Sequence, residues 1–158
     1  MRGKNHLVVW LGAPKPIPAQ LRFFSEVLGE YALVHVKDFD SANRQAFPEV
    51  TKLLRAFGAD VVVPFAKREE LVPLVEELLK SGLEVWYAAS RELHVEPDGA
   101  SCPEFNPDTD ILVRKEKRGG AVVHKRFETF LRVVGVKKDD PAPQLLFARI
   151  AKLDYVPV

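Results

Sequence analysis

Sulfur is nearly missing from this chain. Cys102 is the only cysteine among 158 residues, which excludes an internal disulfide and fits a reducing compartment. Long apolar runs are missing too. None approaches the roughly 18 residues that a bilayer-spanning helix needs, and the apolar stretch at residues 7–11 is too short for a signal-peptide core. The expectation is a soluble, cytoplasmic protein with no membrane partner. Glycine-rich phosphate loops are also lacking. Neither GxGxxG nor GxxxxGKS/T occurs, so the usual dinucleotide and P-loop modes of binding lose their support. HExxH, CxxC and EF-hand spacings are absent as well, and no nucleophile elbow surrounds Ser90.

What is present is an ordinary globular composition, 47% hydrophobic and 28% charged, enough for one domain with its own core. The net charge of +1 hides a segregation. Residues 92–110 carry six acidic side chains and no Lys or Arg, whereas residues 111–138 carry nine basic ones against Glu116 and Glu128. Such a block is either a solvated face or a site that concentrates polyanions.

Hydrophobic periodicity alternates between two patterns over the first two-thirds. Short apolar runs at residues 6–11, 31–36, 59–65 and 83–88 read as strands, the first of them as one buried on both faces. Between them, Leu21, Phe24, Val27 and Leu28, then Phe47, Val50, Leu53, Leu54 and Phe57, recur at helical spacing. Gly29 and Gly58 are placed to end those helices. Residues 67–80 give the clearest helix, with Leu71, Leu74, Val75, Leu78 and Leu79 on one face. Pro73 removes a backbone donor there, which predicts a helix beginning nearer Leu71. The β-α-β-α-β-α-β order predicts an α/β fold, a Rossmann-like and mostly parallel sheet with right-handed crossovers.

Past Ala89 the pattern changes. Residues 90–110, with Pro97, Gly99, Pro103 and Pro107, read as a long loop holding at most one short strand. A hairpin is expected at residues 111–114 and 121–124, turning at Gly119-Gly120. Residues 125–136, rich in Val, Phe and Thr, read as strand. Residues 139–143 read as a turn, and residues 145–158 as a last strand or a short helix. The C-terminal third is thus a β-rich extension within a single domain.

Ligands of open α/β sheets gather beyond the carboxyl ends of the strands, which selects four loops, beginning at Gly12, Lys37, Ala66 and Ala89. In the first, Gly12 and Lys15 can approach a phosphate; a plain βα turn is the competing reading. In the third, Lys67 and Arg68 precede the clearest helix. Two cations at a helix N-terminus oppose the macrodipole unless an anion joins them. In the fourth, Ser90 can hydrogen-bond a ribose or phosphate, and Arg91 can pair with a phosphate through its two-pronged guanidinium. In His124-Lys125-Arg126, an imidazole beside two cations is expected to be acidified and neutral, fit for proton transfer. His94, Glu96, Asp98, Cys102, Glu104, Asp108 and Asp110 are potential metal ligands, but their spacing matches no compact signature, and an acidic exposed loop explains them equally.

One stretch of residues resembles a known group. A strand at residues 60–65 and a helix to Lys80 lead into Ser81-Gly82-Leu83-Glu84-Val85-Trp86-Tyr87-Ala88-Ala89-Ser90-Arg91. A polar segment with Asp98-Gly99 follows, then His124-Lys125-Arg126-Phe127-Glu128-Thr129-Phe130. This order, over about residues 58–134, is similar to that of small CRISPR-associated proteins of the CARF-like and ring-nuclease kind. In that group two hydroxyl residues are common where Ala89-Ser90 stands, and residues 104–118 read as an insertion. The resemblance implies a homodimer that binds a cyclic oligoadenylate second messenger across its two-fold axis in type III CRISPR defence. It also implies cleavage of that ring without a metal or other cofactor, by attack of a ribose 2′-OH on the adjacent phosphate. Ser90 and Arg91 would then orient the phosphate, Lys67 or Lys15 would supply charge, and His124 would move the proton. Gly12, Arg68 and Lys125 complete the expected ligand contacts. Two alternatives stay open: a non-catalytic nucleotide sensor of the same fold, and a regulatory adaptor that binds long nucleic acid through the basic block at residues 114–138.

Overall fold

The computed structural model describes residues 5–12, 14–96, 105–115, 121–138 and 142–150. The expected turns at Gly119-Gly120 and at residues 139–141, and the chain after residue 150, lie outside these.

Three parallel strands form the first sheet: β1 (His6–Leu11), β2 (Tyr31–Val36) and β3 (Val61–Pro64), in the order β2-β1-β3. Helices α1 (Pro18–Leu28) and α2 (Phe47–Ala56) connect them, and α3 (Arg68–Lys80) leads out of β3. A single 3-10 turn, Arg44–Ala46, precedes α2. Val8, Trp10, Val61 and Val63 pack with Phe24 and Leu28 of α1, while Val9, Leu11 and Val62 pack with side chains of α2 and α3. Both faces of β1 and β3 are therefore covered, which explains why their sequences are apolar throughout rather than alternating.

Helix α3 begins at Arg68, three residues earlier than expected, so Pro73 lies inside it. An interior proline costs about 3 kcal/mol. Leu71, Leu74, Val75 and Leu78 are all buried along one stripe, and each buried side chain of that size contributes about 1.5–3 kcal/mol. The stripe outweighs the proline, and packing sets the helix start.

The second sheet is antiparallel and larger than expected. β4 (Trp86–Glu96), β5 (Asp110–Lys115), β6 (Ala121–Lys137) and β7 (Gln144–Arg149) form it. β6 is the axis: β4 pairs along one edge, and β5 and then β7 pair along the other. The sheet is consequently not mostly parallel. Residues 90–96, expected as loop, are strand, because β6 supplies a partner for polar residues that carry no strand signal of their own. Val85 joins the two sheets. It bridges in parallel to Val62, and its carbonyl accepts the N–H of Val133 at 2.8 Å. The expected hairpin between β5 and β6 is present, with Lys115 opposite Ala121. No helix among the described residues is long and apolar enough to cross a membrane.

Candidate functional site

The carboxyl ends of β1 and β3 are pinned together. The Phe65 N–H donates to the Leu11 carbonyl at 2.8 Å, and the Gly12 N–H donates to the Val36 carbonyl at 2.9 Å. The Gly12 carbonyl accepts a hydrogen bond from His35 Nε2 at 2.7 Å. Gly12 has φ +100°, and a Cβ placed on it would stand 2.7 Å from the Phe65 oxygen. Only glycine fits that approach. Its backbone is committed to the sheet, so its role is to let the strand ends close. Gly12→Ala is expected to destabilise the protein by at least about 2 kcal/mol through strain and overlap, measured by urea unfolding.

Beyond this pinned edge lies an open groove of about 920 Å³. Lys67 and Arg68 reach it from the loop into α3, Ser90 from β4, and Lys125 and Phe127 from β6. Tyr87 of β4 and Phe147 of β7 line it further along. Lys67 is the N-cap of α3 and has no side-chain cap, so the first turn presents backbone N–H groups next to two cations. Among the described residues of the lining, Glu69 is the one acidic side chain, against Lys67, Arg68 and Lys125. The balance there is net positive.

Strand alternation divides the remaining expected residues. In the β4–β6 register, Ser90 stands opposite Phe127, Arg91 opposite Arg126 and Glu92 opposite Lys125. Neighbours on a strand point to opposite faces. Ser90, Lys125 and Phe127 line the groove from one face of the sheet; Arg91, His124 and Arg126 lie on the other face and are not among the lining residues. Lys15 is exposed in the loop after β1 and is not among the groove residues. Thus the fold brings Lys67, Arg68, Ser90 and Lys125 together and leaves Gly12, Lys15, Arg91 and His124 outside.

His124 instead belongs to a second cluster, closed to solvent. Asp110 and His124 are both fully buried, 1% and 0% exposed. His124 Nε2 lies 2.6 Å from Asp110 Oδ2. Arg126 donates to the same carboxylate from Nε at 2.7 Å and from a terminal nitrogen at 3.0 Å. Thr109 Oγ1 and the Asn106 N–H add bonds of 2.7 and 2.9 Å, and the Phe105 ring packs 5.6 Å from the imidazole. The Arg126 guanidinium foremost, then Thr109, Asn106 and His124, hold the Asp110 carboxyl well below the usual carboxylate range against the opposing effect of burial. The group facing His124 is a carboxylate, where two flanking cations had been expected, because Lys125 points the other way. Nearby, Arg22 of α1 donates to Asp108 at 3.0 Å, and the Ala19 N–H donates to the Asp108 carbonyl at 3.0 Å. These contacts tie the approach to β5 onto α1.

Sequence reasoning did not find Asp110 as the centre of a network, nor Tyr87 and Phe147 as groove residues. The available signal for Asp110 was its place at the head of a strand whose hairpin partner carries His124 and Arg126. Among the potential metal ligands, Asp98, Cys102 and Glu104 lie outside the described residues. No group of three His, Cys, Asp or Glu side chains is placed to hold a metal among the described ones.

The architecture and the groove together define a mixed α/β protein with a cationic cleft at the carboxyl edge of its parallel strands. Comparison with protein-family models, with curated proteins and with solved structures gives no match for this chain.

Proposed function

We propose that this groove binds a cyclic oligoadenylate and that the protein cleaves the ring without a metal, as a CARF-like, ring-nuclease-type component of type III CRISPR defence. One observation carries the reading. Lys67, Arg68, Ser90 and Lys125, all expected as site residues, come from three separate segments and line one groove. Its position supports the same reading. The β2-β1-β3 order, with Val85 beside β3, is compatible with a Rossmann-like sheet whose direction of winding reverses at β1. Ligands of such sheets sit beyond the carboxyl ends at that reversal.

In the proposed reaction the 2′-oxygen of one ribose attacks the adjacent phosphorus in line. The O2′–P bond forms and the P–O5′ bond breaks. The 2′-OH loses its proton to solvent water, the departing 5′-oxygen takes one from water, and the products carry a 2′,3′-cyclic phosphate and a 5′-OH. Lys67 and Arg68 hold the non-bridging oxygens, where charge develops. Ser90 orients the phosphate, and Lys125 stabilises the 5′-oxygen as it leaves. Orientation of the ring accounts for much of the acceleration. His124, enclosed with Asp110, takes no part. A ring ligand and a C2 dimer share a symmetry axis, and we include a homodimer in the proposal.

Purified protein is expected to convert a cyclic oligoadenylate to linear products at an unchanged rate in EDTA. Ser90→Ala is expected to slow that conversion by about 10²-fold, the scale of losing one oriented hydrogen-bonding group in a reaction centre. Light scattering of the same sample reads the mass of two chains. Tight binding with the ring intact points instead to the sensor alternative, and rings left both unbound and uncut overturn the proposal.

A further inference from the structure

The groove lining has two chemically different components. Lys67, Arg68 and Lys125 supply its cations. The other component is aromatic. Phe147 on β7 is 42% exposed, and its ring lies 5.1 Å from that of Tyr87, with the planes inclined by 37°. Tyr87 and Phe147 belong to the two strands that flank β6. Tyr87 stands opposite Leu131 on one side, and Phe147 stands opposite Val133 on the other. The sheet thus fixes both backbones while leaving a phenyl face open to the groove. An inorganic phosphate or a sugar phosphate gains nothing from such a face. A nucleobase does, because aromatic side chains bind bases by stacking.

We propose that the Tyr87–Phe147 pair is a base-stacking platform and makes the groove selective for purine-bearing ligands over others with the same phosphates. This rests on the nucleotide reading above and adds the part of the ligand that the cations do not recognise. The phosphates engage the Lys67–Arg68 end, and one base of the ring lies against Phe147. Tyr87 backs that ring and holds its orientation.

Cyclic tetra-adenylate and cyclic tetra-uridylate separate the two contributions, since they share ring size and phosphate count and differ in base. Each is titrated calorimetrically into the full chain. The wild type is expected to prefer the adenylate ring. Phe147→Ala is expected to weaken the adenylate ring about tenfold or more, the scale of one base–aromatic stack, and the uridylate ring by less than about threefold. Phe147→Trp keeps the preference. If Phe147→Ala does not fold, as read by its thermal melt, Phe147→Leu keeps the apolar volume without the ring and makes the same comparison. Equal weakening of both rings, or of neither, overturns the platform. If the wild type binds neither ring, the nucleotide reading itself fails and the platform falls with it. If binding depends on Lys67 and Arg68 but not on Phe147, the platform alone fails.

Discussion

Replacing Asp110 by alanine is expected to destabilise the protein by about 3–5 kcal/mol, the range for breaking a buried ion pair by removing one partner. The loss exceeds that of a surface pair because Asp110 and His124 are shut from water and Arg126 is two-thirds covered. Water cannot replace the carboxylate for His124. Asp110 also anchors chain geometry. It accepts the Asn106 N–H at the approach to β5, and the next strand joins it through Arg126. Urea unfolding at neutral pH measures the change. The same carboxylate sets an acid limit. Its folded pKa is lowered below the ordinary unfolded value of about 3.9. Its stabilisation is therefore complete above about pH 4 and declines as the pH falls below that toward the folded value. The wild-type urea midpoint should fall on acidification below about pH 4, and Asp110→Asn should show a flatter dependence there.

Removing both cations at the head of α3 is the second large effect. Lys67→Ala with Arg68→Ala is expected to weaken a cyclic oligoadenylate by about 100-fold or more, since each charge-assisted bond contributes about 1.5–3 kcal/mol. Both side chains are exposed and neither belongs to the core. The melting temperature should stay close to that of the wild type, or rise slightly, because two cations leave the positive end of a helix. A mutant that folds normally and loses the ligand separates recognition from stability. Asp110→Ala does the reverse, destabilising the fold at a cluster outside the groove.

How far such sites can be read from sequence depends on how local their determinants are. β1 and β2 match their apolar runs, and α1 stops where Gly29 adopts φ +79°. Those signals lie within a few residues of their effects. β4 behaves differently. Ser90, Arg91 and Glu92 look like loop residues, and their strand conformation comes from pairing with residues 125–127 of β6. The acidic and basic segments have a similar explanation. Antiparallel pairing sets Glu92 opposite Lys125 and Asp110 opposite Arg126, so a charge segregation along the chain becomes complementarity across the sheet. Within the site, Lys67 and Arg68 were legible because strand, turn and helix follow one another in sequence. The division between Ser90 and Arg91, or between Lys125 and His124, was not. It depends on which face each strand turns to the groove, and a one-residue change of register would exchange them. Phe147 escaped notice for the same reason: its strand gains its position from β6 alone.

The groove at the carboxyl edge of β1 and β3 is proposed as a nucleotide site. Calorimetric titration of cyclic oligoadenylates into the wild type and into two charge-matched variants tests the proposal most directly. One variant is Lys67→Ala with Arg68→Ala. The other, Lys52→Ala with Arg55→Ala, removes two exposed cations from α2, away from the groove. Saturable binding of one ring per two chains is expected for the wild type and the α2 variant, within about twofold of each other, with the groove variant at least about 100-fold weaker. The proposal is contradicted if no ring binds the wild type, or if the groove variant binds as tightly as the α2 variant.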